Sequence, residues 1–275
     1  MIGLVDTRVD PSHAALAGQD IERLQPTGSG SDSDHGTAIA SLLVGKAAAG
    51  TSGLLPRAKL VTVDAFSKGR STDDRSDVLS LVRAIEALSA RGVKVINLSL
   101  AGPPNPLLQR GIDAASKAGI LIIAAAGNEG PASEPVYPAA YSGVIAVTAV
   151  DHRLAVYRRA NRGDYVDIAA PGVEVPVVSG ASGVTLRSGT SYAAPFVAAT
   201  AAALSVGRSA ETVRALLDGA ARDLGPPGRD PTFGWGLLQA STVCVKGPTL
   251  EAPVQARLNR ATLLPPTEGT SGSPE

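Results

Sequence analysis

A hydroxyl, an imidazole and a carboxylate are the groups of this chain that could carry out nucleophilic catalysis if the fold brings them together. The stretch RSGTSYAAPFVAATAAALSVG, residues 187–207, opens with Ser188, Gly189, Thr190 and Ser191 and then runs apolar. A serine ahead of an apolar run has two readings. It is an N-cap, accepting a hydrogen bond from a free backbone N–H of the first turn, or it is a nucleophile held at a helix N-terminus. The second reading needs a base, because a hydroxyl attacks poorly until its proton is taken.

His13, His35 and His152 are the only imidazoles. His13 lies in the turn-like DPSHAALAG and His152 in the polar VDHRLAVYRR, where a solvated or locally bonded ring is expected. His35 instead heads a second small-residue helix in SDSDHGTAIASLLVG, and Gly36 beside it lets other backbone come close. A catalytic imidazole needs a carboxylate to fix its tautomer. Asp6 closes the apolar run MIGLVD; taken alone, it reads as a strand-end residue starting a turn. The order serine, acid, histidine fails because no histidine follows Ser191, and GTSYA ends in Ala193 where a nucleophile elbow needs glycine. The order histidine, aspartate, serine belongs to β-barrels, and LVDTRVDP lacks the glycines of a dinucleotide loop. Aspartate, histidine, serine is the order that remains.

These residues require a scaffold of alternating strands and helices. IGLV (2–5), AKLVTVDAF (58–66), VKVINLSL (93–100), GILIIAAA (119–126) and GVIAVTAV (143–150) are apolar and mostly continuous, as suits strands buried on both faces of a parallel sheet. Between them, Val78, Leu81, Val82, Ile85 and Leu88 recur at helical spacing up to Gly92. PLLQRGIDAASKAG starts a further helix at Pro106 and ends it at Gly119. The pattern is α/β with helices covering the sheet, and the ligand crevice belongs at the carboxyl ends of the strands.

A chain of 275 residues with 44% hydrophobic content can bury a sizeable core. Lys+Arg and Asp+Glu both number 25, so nothing asks for nucleic acid or an anionic membrane. Cys244 is the single cysteine, which excludes an internal disulfide and a thiolate metal cluster. No membrane span is expected, and MIGLVDTRVD has no basic region of the kind that opens a signal peptide. Residues 1–245 form the predicted domain, and the Pro-, Gly-, Ser- and Thr-rich stretch 246–275 is read as a linker or disordered tail.

At this point the chain resembles the subtilisin-like serine proteases, the subtilases (peptidase S8). LVDTRVDPSHAALAG resembles the family's aspartate motif and HGTAIASLLVG its histidine motif. AAAGNEG resembles the stretch bearing the oxyanion asparagine, and SGTSYAAPFVAA the serine motif; VINLSL, YPAAY, VDIAAPG and FGWGLLQA add support. The resemblance implies a three-layer α/β/α fold with a mostly parallel central sheet. It implies a triad of Asp6, His35 and Ser191, with the Asn128 side chain and the Ser191 N–H holding the oxyanion. The implied activity is a serine endopeptidase working through an acyl-enzyme on polypeptide substrates, with no cofactor. Substrate is implied to lie extended along Leu98, Ser99, Leu100, Ala101 and Gly102, with Ala125, Ala126 and Gly127 opposite and Gly189 and Thr190 beside the nucleophile. A monomer is expected, secreted or periplasmic by family habit, with a pro-segment or inhibitor as a further partner. The alternative is a non-catalytic relative that binds extended peptides; the presence of all four site residues favours the enzyme.

The sequence departs from the family pattern in places. Relatives carry a further stretch and a pro-segment ahead of the aspartate strand, so either a processed or cut chain or a reading frame that begins further upstream is expected, and folding without a pro-segment is expected to be slow. Arg8, Ala38, Ala101 and Phe196 replace usual family residues without removing a catalytic group. GKAAAGTSGLLPRA, after the histidine helix, offers only hydroxyls and carbonyls, so no calcium site of the family type and no other metal is expected.

Overall fold

The structure, a computed structural model, describes residues 1–46, 52–69, 74–180 and 183–240. From the N-terminus come β1 (Ile2–Asp6), β2 (Ile21–Arg23), α1 (Asp34–Val44), β3 (Leu60–Asp64), β4 (Ser67–Lys68) and β5 (Asp74–Arg75). Next are α2 (Val78–Ala90), β6 (Val95–Leu98), α3 (Pro106–Lys117), β7 (Leu121–Ala125) and β8 (Val144–Val150). The chain continues through β9 (Val166–Pro171), β10 (Val175–Ser179), β11 (Gly183–Arg187), α4 (Thr190–Leu204) and α5 (Ala210–Ala220). The expected domain end at residue 245, the tail and Cys244 lie outside the described residues.

Seven strands form one sheet in the order β2-β3-β1-β6-β7-β8-β9, and every neighbouring pair is parallel. The continuous apolar runs follow from this, since both faces are covered. Ile2 and Leu4 of β1 join Ile39 and Leu43 of α1 and Val197 of α4 in one core. Val5 turns the other way, into a second core with Ile85 and Leu88 of α2 and Ile112 of α3. The result is three layers, α/β/α, as the sequence led us to expect. Side chains alternate along a strand, so Asp6 shares the face of Ile2 and Leu4 and looks toward α1 and α4. The strand order reverses beside β1, which has β3 on one flank and β6 on the other. A crevice forms at such a point, and Asp6 stands at its rim.

The two periodic helices have legible ends. α2 begins after Asp77, whose carboxylate accepts from Ser80 N, and finishes just before Gly92, at φ +74°. α3 begins at Pro106 after the Asn105 cap and finishes just before Gly119, at φ +77°. α4 is apolar nearly all round because it is buried nearly all round, packed on β6, β7, β8, β9 and α1.

Gly36 fixes how closely α1 approaches β1. A Cβ there would lie 2.2 Å from the Thr7 carbonyl oxygen, backbone that cannot give way cheaply. Gly36→Ala is therefore expected to destabilise the fold by about 1–3 kcal/mol, the range of an overpacked core site. Urea unfolding measures this, and an unchanged midpoint would contradict the tight approach.

Candidate active site

Asp6 and His35 meet where β1 ends and α1 begins. His35 Nδ1 lies 2.7 Å from Asp6 Oδ1, and the same oxygen accepts from Thr7 N at 2.7 Å. Gly36 N donates to Thr7 Oγ1 at 2.9 Å, tying the first turn of α1 to the strand end. Asp6 is 3% exposed and His35 33%, so the carboxylate is dry while the ring has an open edge. With Nδ1–H donating to the carboxylate, Nε2 keeps its lone pair and can act as a base. Burial opposes charge on the ring, but the Asp6 carboxylate, through its charge and its hydrogen bond, outweighs burial and the opposing Arg187, and the His35 pKa is raised.

The sign of the pH dependence follows. A group whose pKa is raised is protonated over a wider range, so any reaction that uses Nε2 of His35 as a base should speed up with pH through a midpoint above the ordinary 6.5 of histidine. The stabilisation from the charged pair runs the opposite way. It is fully present below that ordinary value and is lost as pH rises through the raised one. A kcat/KM profile with its acid limb below the ordinary histidine value would contradict the Asp6 contact.

Ser191 is the second residue of α4. The helix is capped by Gly189 with no side-chain cap bond, so neither Ser188 nor Ser191 acts as an N-cap. Ser188 Oγ instead accepts from Glu174 N at 2.9 Å. Ser191 Oγ donates to the Ser99 carbonyl at 3.2 Å, and no hydrogen bond joins it to His35. Pro195 lies inside α4, four residues on, and has no N–H to give the Ser191 carbonyl. Ser99 Oγ takes that carbonyl at 2.9 Å and is itself held by Asn97 Nδ2 at 2.8 Å. Asn97 is fully buried, so the Ser191 backbone is anchored to the sheet rather than only to its own helix.

Asn128 follows β7, and its orientation is set by α4. Asn128 Oδ1 accepts from Thr190 N at 2.9 Å and from Thr190 Oγ1 at 3.2 Å. Thr190 Oγ1 in turn accepts from Gly127 N at 3.2 Å. With its oxygen occupied, Asn128 has Nδ2 left as a donor, and the Ser191 N–H carries no hydrogen bond of its own. The loop is held from behind by Asn161, which is fully buried. Asn161 Oδ1 accepts from Glu129 N at 2.8 Å and Gly130 N at 3.1 Å.

The residues expected to line a substrate divide into two groups. Leu100 and Ala101 lie at the open edge of a cavity of about 610 Å³ that also touches Phe66, Leu81 and Tyr137. Gly102 is not free to pair with a peptide, because its N–H and carbonyl are bonded to Tyr137 at 2.8 and 2.9 Å. Leu98, Ala125, Ala126 and Gly127 are buried framework: Ala126 O accepts from Tyr165 OH at 2.7 Å, and Gly127 O accepts from Asn161 N at 3.1 Å. Ser99 ties down α4, and Gly189 and Thr190 form its first turn. His152 is exposed, whereas His13 is buried, with Nδ1 accepting from Ala15 N at 3.1 Å. Among the described residues no group of three or more His, Cys, Asp or Glu could hold a metal ion. Residues 47–51, in the segment where no calcium was expected, lie outside the described residues. No described helix is long and apolar enough to cross a membrane.

Comparison with known proteins bears on this geometry. The profile of the Subtilase family matches residues 1–236. Minor extracellular protease Epr of Bacillus subtilis is 33% identical over 213 residues, which cover 76% of this chain and 32% of that protein. Thermitase of Thermoactinomyces vulgaris is 34% identical over 232 residues, 80% of each. This chain therefore spans about a third of the first relative and most of the second. The solved structure of the prenylagaramide maturation protease PagA superposes with a TM-score of 0.77 at 28% identity, covering 88% of this chain and 91% of the other.

Proposed function

The chain belongs to the subtilase family of serine-type endopeptidases, and on that premise we propose that Asp6, His35 and Ser191 are its triad and Asn128 its oxyanion donor. The observation that carries this reading is the 2.7 Å contact between Asp6 and His35, which leaves a basic nitrogen on the far side of the ring. In the reaction, Ser191 Oγ leaves the Ser99 carbonyl and turns to His35, which takes its proton as the oxygen attacks a peptide carbonyl. Asp6 supports the imidazolium that forms. The oxyanion is held by Asn128 Nδ2 and Ser191 N–H, both without other partners. His35 then protonates the leaving amine, and water releases the acyl group by the same steps reversed. The polypeptide lies along Leu100 and Ala101, with the cavity beside them receiving one of its side chains.

One observation favours binding without turnover, namely that the Ser191 hydroxyl rests on Ser99 rather than on His35. Labelling with a fluorophosphonate, followed by peptide mapping, separates the two readings. Phosphonylation of Ser191, absent from Ser191→Ala, is the expected result. Folded protein that takes no label would leave only the peptide-binding reading.

A further inference from the structure

One cation near the site has no partner. Arg187 ends β11, four residues before Ser191. Its guanidinium makes no ion pair or hydrogen bond among the described residues. β10 and β11 form an antiparallel ribbon in which Arg187 lies opposite Val175 and Thr185 opposite Val177. Val175 and Val177 are buried against Ala38 and Leu42 of α1, with Tyr192 and Phe196 beside them. Directly opposed residues share a face, so Arg187 is on the face turned toward the helix that carries His35. Val184 and Leu186 are on the other face, 46% and 61% exposed. The Arg187 charge reaches the site: it opposes protonation of His35 and favours ionisation of Tyr192, whose ring centroid is 5.7 Å from that of His35.

The chemistry says which part of a substrate meets this charge. The leaving nitrogen must come within about 3 Å of His35 to receive its proton. The residue that contributes this nitrogen is therefore placed among the groups around His35, while the acyl part lies along Leu100 and Ala101. Besides Asp6, the groups that face His35 are Tyr192, by its ring, and Arg187, by its charge. We infer that Arg187 forms a subsite for an acidic side chain on the residue immediately after the scissile bond, so that cleavage before aspartate or glutamate is favoured. This inference rests on the endopeptidase reading above.

Acyl transfer reads that subsite directly. The enzyme is acylated with a peptide ester, and the acyl-enzyme is divided between water and either aspartate amide or its isostere asparagine amide. In the transfer the Ser191 ester bond breaks, the amine nitrogen bonds to the acyl carbon, and His35 moves the amine proton to Ser191 Oγ. Because the ratio is taken per acyl-enzyme, loss of folded protein in a variant does not alter it. Aspartate amide is expected to be favoured about threefold, the size of an exposed ion pair. The preference should disappear in Arg187→Ala, reverse in Arg187→Glu, return in Arg187→Lys and fade with added salt. An acyl-enzyme that divides identically in all four proteins overturns this inference alone. A chain that forms no acyl-enzyme overturns the endopeptidase reading and this one with it.

Discussion

Ser191→Ala is expected to lower kcat for a peptide substrate by about 10⁶, the loss known for the same change in subtilisin. The substitution removes the proposed nucleophile and one weak bond to the Ser99 carbonyl, at 3.2 Å. Losing such a bond costs about 1 kcal/mol, so the variant should stay folded, and an almost unchanged melting temperature would show that the loss is chemical. His35→Ala should fall by a similar factor, and the double variant should be no worse than either single one. That non-additivity is the signature of residues acting as a unit. Independent, multiplying losses would mean that the Ser191 hydroxyl and His35 do not share a proton, and the triad assignment would fall.

Asn128→Ala should lower kcat by about 10²–10³ with little change in KM, the range known for loss of such a donor in subtilisin. The reason is local. Asn128 Oδ1 is occupied by Thr190 N and Oγ1, which leaves Nδ2 with no task in the resting protein. A donor that meets its acceptor only when charge develops on the substrate oxygen acts on the transition state rather than on binding. Thr190→Val removes the hydroxyl that bridges Gly127 N and Asn128 Oδ1 but leaves the Thr190 N–H bond, so a smaller loss of the same kind is expected. A rise in KM with kcat intact in Asn128→Ala would mean that this amide binds ground-state substrate instead.

Much of the scaffold was legible in the sequence because burial leaves a pattern. Continuous apolar runs marked β1, β3, β6, β7 and β8, which are covered on both faces, and Pro106, Gly92 and Gly119 marked helix ends. Asp6 and His35 could be found because a strand end and a helix start bracket them. What stayed hidden depends on contacts remote in sequence. Nothing around Ser99 announces that its hydroxyl will replace the donor missing at Pro195, 96 residues further on. Gly102 reads as open strand until Tyr137 takes both of its backbone groups. Asn161, in RRANRGDY, looks like a loop residue, yet it is fully buried and holds the loop that carries Asn128. The β10–β11 ribbon was missed because its outer strand is exposed on both faces and shows neither a continuous nor an alternating apolar run.

The packing of α4 on β6, β7, β8 and β9 also orders events during biosynthesis. All four strands, together with Asp6 and His35, leave the ribosome before Ser191 does, and α4 has no complete surface to dock on until they are paired. The proposed base and its carboxylate can therefore assemble early, and Ser191, the proposed nucleophile, is the last of the three to arrive. Cleavage by the proposed triad therefore waits until all four strands on which α4 packs have been synthesised.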